Sequence, residues 1–129
     1  MARNDIRIDQ LAAEITRALA GYTSDVENAI AVAVDQTARE CLAEVKARSP
    51  RGPTRQYYKG WKIVRQDGRG YVNRIIWNPK FYSLVHLLEK GHAKRGGGRV
   101  EGRPHVGPAE QRFIQALQMR VESIIRNGG

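Results

Sequence analysis

Apolar positions recur along this chain with two periods, and the change between them marks where helices give way to strands. Between Asp5 and Ala20, the residues Ile8, Leu11, Ala12, Ile15, Ala18 and Leu19 fall three and four apart. That is the spacing of one helix face, and Gly21 stands where such a helix would end. A second stripe runs from Asp25 to Arg48: Val26, Ile30, Ala33, Val34, Thr37, Cys41 and Val45, with Asp35, Arg39, Glu40 and Lys46 on the opposite side. Ser24-Asp25-Val26-Glu27 reads as a capping box at its start, and Ser49-Pro50 stops it. After a loop at Arg51–Thr54 the period shortens to two. Tyr57–Gln66 sets Tyr58, Trp61, Ile63 and Val64 among Lys59, Lys62 and Arg65. Asp67-Gly68-Arg69-Gly70 is a turn signal, and Tyr71–Trp77 is the return strand.

Beyond Asn78-Pro79, a short helix is expected at Phe81–Lys90 with Phe81, Leu84, Val85 and Leu88 inward. Gly91–Gly107 reads as a long flexible loop in which Val100 marks one edge of a small hairpin. Gly107-Pro108-Ala109-Glu110 opens the last helix, with Pro108 at a tolerated first-turn position. Its expected buried face is Phe113, Ile114, Leu117, Val121, Ile124 and Ile125. The expected organisation is one domain over 1–129: a helical region at 5–48, a β-hairpin at 57–77, a short helix at 81–90, a flexible basic loop at 91–107 and a C-terminal helix at 108–126. The fold class is α+β. A small antiparallel sheet packs against the long helix of the N-terminal half and the C-terminal helix, and a Gly/Arg-rich loop projects.

Composition narrows the picture. With 129 residues, 41% of them hydrophobic, the chain can build one modest core. A mean hydropathy of −0.54 makes that core thin. The single cysteine, Cys41, excludes an internal disulfide and suits a reducing compartment. No apolar run approaches the roughly 18 residues of a membrane span. The opening MARNDIRIDQ has no apolar signal segment, so signal-peptide secretion is not expected.

Charge changes the picture more. The net charge is +9, but from Lys46 to Arg103 fifteen bases meet only three acids, a net of +12, and the remainder carries −3. A basic middle with mildly acidic ends suits contact with a polyanion or an acidic protein surface, and also head-to-tail stacking of like subunits. Lys94, Arg95, Arg99 and Arg103 are the densest bases and lie beside the glycine run at 96–98. They are the candidate contacts to DNA phosphates or to acidic residues of a partner. The plainer alternative is a solvated loop that aids solubility. Gly91, Pro104 and Pro108 are the candidate hinges of that arm.

Other candidate chemistry is thinner. His86, Glu89 and His92 are spaced H-x-x-E-x-x-H, with His105 further on. They supply zinc-type ligands, but Gly91 ends the helix before His92, so histidines packed near a helix end are the preferred reading. The loop lacks the G-K-[ST] ending of a phosphate-binding loop. Tyr57, Tyr58, Trp61, Tyr71 and Trp77 could stack bases, or serve as core and cross-strand pairs, which their strand spacing favours. Cys41 lies in a helix stripe, Ser24 is used as a cap and Ser49 precedes a proline. No catalytic residue, metal site or cofactor is expected.

Three segments in order carry a resemblance: Tyr58-Lys59-Gly60-Trp61-Lys62-Ile63, then Phe81 through His92, then Arg103-Pro104-His105-Val106-Gly107-Pro108-Ala109. Together they resemble the gene-ten-product-like neck or tail-completion proteins, a minor structural family of long-tailed bacteriophages. Lys90 stands where that family often has an aromatic, and Gly107 where it often has a bulky or basic residue. The resemblance implies a virion protein of the head–tail junction, assembled in the host cytoplasm and without catalytic residues. It also implies a homo-oligomeric ring that joins the tail to the DNA-filled head. The implied partners are further copies of the chain, adjacent neck, head-completion or tail proteins, and genomic double-stranded DNA passing through the ring, with no membrane. The rival from a different class is a stand-alone basic nucleic-acid-binding module, whose monomer would bind DNA with a steep salt dependence.

Overall fold

Residues 13–19, 21–52 and 56–128 are described by a computed structural model. The first described element corrects the sequence reading: Ala13–Ala18 is a strand, β1, where helical spacing predicts a helix. The remainder of that predicted helix, 5–12, lies outside the described residues. Next comes helix α1, Ser24–Arg48. Every residue of its expected stripe is buried, and Ala38 joins them. Its cap is Thr23 rather than Ser24: the Thr23 hydroxyl accepts from the Val26 N–H at 3.3 Å, and Ser24 is already helical.

Ser49 ends α1 and ties it to the sheet region. Its hydroxyl donates to the Val45 carbonyl at 2.5 Å and accepts from the Trp61 indole N–H at 2.9 Å. Trp61 comes after a single 3₁₀ turn, Tyr58–Gly60, so the expected ten-residue strand shortens to β2, Lys62–Arg65. Strand β3, Tyr71–Trp77, is central in an antiparallel sheet of order β1-β3-β2. Five consecutive β3 residues, Val72–Ile76, are buried. A strand so covered must pair its backbone on both edges. Pairing of Ala13 with Ile76 through Ala18 with Tyr71 supplies the second edge. That requirement overrides the helical spacing of the segment, whose short apolar run is compatible with either element.

One member of the buried β3 run is Arg74, only 4% exposed. Its guanidinium bonds Asp67 at 2.6 Å in the β2–β3 turn and Asp35 at 3.2 Å on α1, which fastens helix to sheet. Asp35 is held below the ordinary carboxylate range by its bond to Arg39 first, with burial opposing and Arg74 adding to the depression. At Asp67 burial is the largest influence and pushes upward. The Asn73 N–H and the Arg65 and Arg74 guanidiniums together outweigh it, and the pKa is lowered.

Helix α2, Tyr82–Lys90, turns in Val85 and Glu89, while Phe81 and Leu88 lie partly covered against the core. Leu84, expected inward, is exposed. Strands β4, Gly91–Ala93, and β5, Arg99–Glu101, form a separate two-stranded hairpin. Helix α3, Gly107–Asn127, buries Ala109, Phe113, Leu117 and Val121 against α1. Ile124 is partly covered, whereas Ile114 and Ile125 face solvent, contrary to expectation. The buried face of α1 includes the small residues Ala33, Ala38 and Cys41, which permit close packing of neighbouring elements.

Candidate functional site

The basic segment has a defined shape. In place of a flexible loop, β4 and β5 pair Gly91 with Glu101, His92 with Val100 and Ala93 with Arg99. The turn is closed by the Lys94 N–H on the Gly98 carbonyl at 3.0 Å. Gly97 and Gly98 adopt φ of 105° and 84°, the left-handed region that glycine occupies without strain. Val100 does sit on the edge of a small hairpin, as its sequence position suggests. Every residue from His92 to Glu101 is exposed, and so is Arg103. Lys94, Arg95 and Arg99 are therefore gathered on one projecting ribbon, with the Arg99 guanidinium donating to the Lys90 carbonyl at its base.

At that base the chain crosses itself backbone to backbone. Gly91 has φ of 82°, and a Cβ built there would lie 2.4 Å from the Val100 carbonyl and 2.7 Å from the Gly102 nitrogen. A Cβ on Gly102 would in turn meet the Lys90 carbonyl carbon at 2.4 Å. The two glycines are what allow the ribbon to leave and rejoin the body at one point.

Below the crossing lies a clamp of buried polar groups. Glu89, 7% exposed, points from α2 at the start of α3. Its carboxylate accepts from the backbone N–H groups of His105 at 2.8 Å, Val106 at 2.9 Å and Gly107 at 2.9 Å. The Val106 and Gly107 N–H groups are donors that a helix N-terminus leaves without intrahelical partners, His105 stands just before them, and a negative charge there is favoured by the helix dipole. The side chain thus acts as a cap from sixteen residues away. The segment bounded by Pro104 and Pro108 is fixed to α2, and the Arg103 N–H donates to the Leu88 carbonyl at 2.8 Å beside it.

His105 is fully buried and completes the clamp. Its Nδ1 lies 2.6 Å from the Arg103 carbonyl and 3.1 Å from the Glu89 carboxylate, and its Nε2 lies 2.7 Å from the Tyr57 hydroxyl. Burial first, and the Glu89 charge second, push the Tyr57 phenol well above its ordinary pKa, so the hydroxyl keeps its proton. The consistent assignment is Tyr57 O–H donating to Nε2 and Nδ1–H donating to the carbonyl. Tyr57 and Trp61 each meet the imidazole edge to face, with centroids 5.6 and 6.1 Å away. These two aromatics are core, whereas Tyr71 is exposed over Gly68.

The arrangement disperses the spaced His86, Glu89 and His92. His86 is exposed on α2, Glu89 turns inward to α3, and His92 rides on the ribbon. Among the described residues, no group of three or more His, Cys, Asp or Glu side chains is placed to hold a metal ion. Sequence reasoning found the basic residues and missed the clamp beneath them. The available signal was an acid in the inward phase of a short apolar helix, together with the start of a helix just before Pro108, whose N–H groups need acceptors.

Fold and site together define a class: a small α+β body that presents an exposed basic ribbon rooted on two helices. A model of the family described as "Bacteriophage HK97-gp10, putative tail-component" matches residues 9–91, and the chain belongs to that family. It is a phage tail-associated structural protein of the virion, which works through contacts with other phage proteins. No curated relative and no solved structure shows a significant match. Among the described residues, no helix is long and apolar enough to cross a membrane.

Proposed function

We propose that the chain is a ring-forming subunit of the phage neck, a tail-completion or head–tail connector protein that joins the tail to the DNA-filled head. The observation that carries this reading is the ribbon. Residues 92–101 are exposed throughout, yet the root of the ribbon is bolted to two helices through Glu89 and the Gly91–Gly102 crossing. A projection whose direction is already set loses less entropy on docking than a free loop. Lys94, Arg95, Arg99 and Arg103 are its contacts, either to acidic residues of the next copy or adjoining layer or to genomic DNA. Gly91, Pro104 and Pro108 mark where the ribbon leaves and rejoins the body.

Excision tests the reading. Gly91 and Gly102 touch, so removing residues 92–101 and joining these glycines leaves the body unstretched. The excised protein is expected to fold, with a circular dichroism spectrum close to the parent, and to fail in ring formation and in producing infectious particles. Infectious particles at wild-type titre from the excised gene would overturn it.

A further inference from the structure

A second basic site lies away from the ribbon. A cavity of about 290 Å³ is lined by Gln56, Lys59, Gly60, Lys62, Pro79 and Lys80. Three of these six are lysines, and among the described residues no carboxylate pairs with any of them. Three short elements bring them together. The 3₁₀ turn places Lys59, the start of β2 places Lys62, and the tight turn after Asn78 places Lys80. Asn78 itself is buried. It accepts from the Phe81 N–H at 3.1 Å and donates to the Tyr57 carbonyl at 2.8 Å, which locks the two sides of the cavity to each other. A Cβ on Gly60 would lie 2.5 Å from the Asn78 amide oxygen, so glycine is required for that close approach.

Ammonium groups gathered without counter-charge repel one another, and an anion relieves the repulsion. The Lys80 ammonium already donates to the Gln56 side-chain oxygen at 2.8 Å, so one cation is held at the rim. Beside the cavity, the Arg51 guanidinium lies 3.7 Å over the Tyr58 ring and extends the positive surface. The volume is at the low end of the roughly 300–1,000 Å³ typical of organic-ligand pockets. It suits a phosphate group better than a whole cofactor.

We propose that the Lys59, Lys62 and Lys80 cavity binds backbone phosphates of double-stranded DNA. Its preference for phosphate stands on its own chemistry. Only the choice of duplex DNA as the source rests on the neck reading, in which a genome passes each subunit. One subunit touches few phosphates and binds weakly; copies around a ring add theirs, because linked sites bind as one. The ribbon is then left to protein docking, and the two basic surfaces divide the labour.

The test is a nuclear magnetic resonance titration of the full chain with a 12-base-pair duplex, with inorganic phosphate and with an acidic peptide. Duplex is expected to move the amides of residues 56–62, Lys80 and Phe81 saturably. When Lys59, Lys62 and Lys80 become alanine, the log–log salt slope should fall by about 0.9 for each phosphate no longer neutralised. That triple variant should bind duplex at least tenfold more weakly at low salt, and the triple arginine variant should retain binding. Shifts confined to residues 91–103, an unaffected triple alanine variant, preference for the acidic peptide, or response to free phosphate but not to duplex would each overturn the proposal. Excision of the ribbon tests the neck reading separately, so either idea can fail alone.

Discussion

Glu89→Gln removes the charge from the clamp while keeping its shape. In the native protein one carboxylate oxygen accepts two backbone N–H groups and the other accepts a third, all at 2.8–2.9 Å. Hydrogen bonds to a charged group contribute about 1.5–3 kcal/mol each and neutral ones about 0.5–1.5. Glutamine can keep its carbonyl on His105 and Val106, weakening each by roughly 1 kcal/mol. Its amide nitrogen then faces the Gly107 N–H donor to donor, and that bond disappears. The expected cost is about 4 kcal/mol, a large part of a total stability of ~5–15 kcal/mol. For a chain of this size each kcal/mol lowers Tm by roughly 3–5 °C, so a drop of about 15 °C is expected in a thermal melt. Hydrogen exchange should quicken most at the His105, Val106 and Gly107 amides, since their acceptor is weakened or removed. A Glu89→Gln melting curve superimposable on the parent, with those three amides still protected, would refute the clamp as the element that fixes the ribbon.

Ionisable groups set two further outcomes. Asp35 and Asp67 both have folded pKa values lowered below the ordinary carboxylate range, so the stability they contribute is present above about pH 4 and fades as pH falls through the lowered values. Arg74→Met should cost about 1–3 kcal/mol at neutral pH and flatten that acid-side decline; equally steep urea midpoint curves between about pH 5 and 2.5 for parent and variant would contradict the Arg74 linkage. Cys41 is fully buried, and burial first, with the Glu110 and Glu44 charges behind it, pushes its thiol up to about 12. It should resist a thiol reagent at about pH 8 and react in full once the chain is unfolded in urea, whereas rapid labelling of the native protein would show the α1–α3 seam to be open.

Much of this architecture is written in local order. The α1 stripe needs only the helical period to be seen, and all seven of its expected residues are buried. The β3 strand, the existence of α3 and the gathering of Lys94, Arg95 and Arg99 beside a glycine run are equally local, as are the ordered motifs that resemble the phage family. Tertiary structure decided the rest. Ala13–Ala18 carries apolar residues at helical spacing and is nonetheless a strand, because the buried β3 has a second edge to satisfy. Glu89 sits at an inward position that periodicity would give to a leucine, because the start of α3, sixteen residues further on, presents three unpaired donors. The glycine-rich arm is an ordered ribbon because Gly91 and Gly102 can touch without side chains between them. Periodicity states which residues share a face; it does not state which distant backbone edge or helix end a face must satisfy. Those requirements are set only when the chain has folded, since the partners stand far apart in the sequence and meet nowhere else.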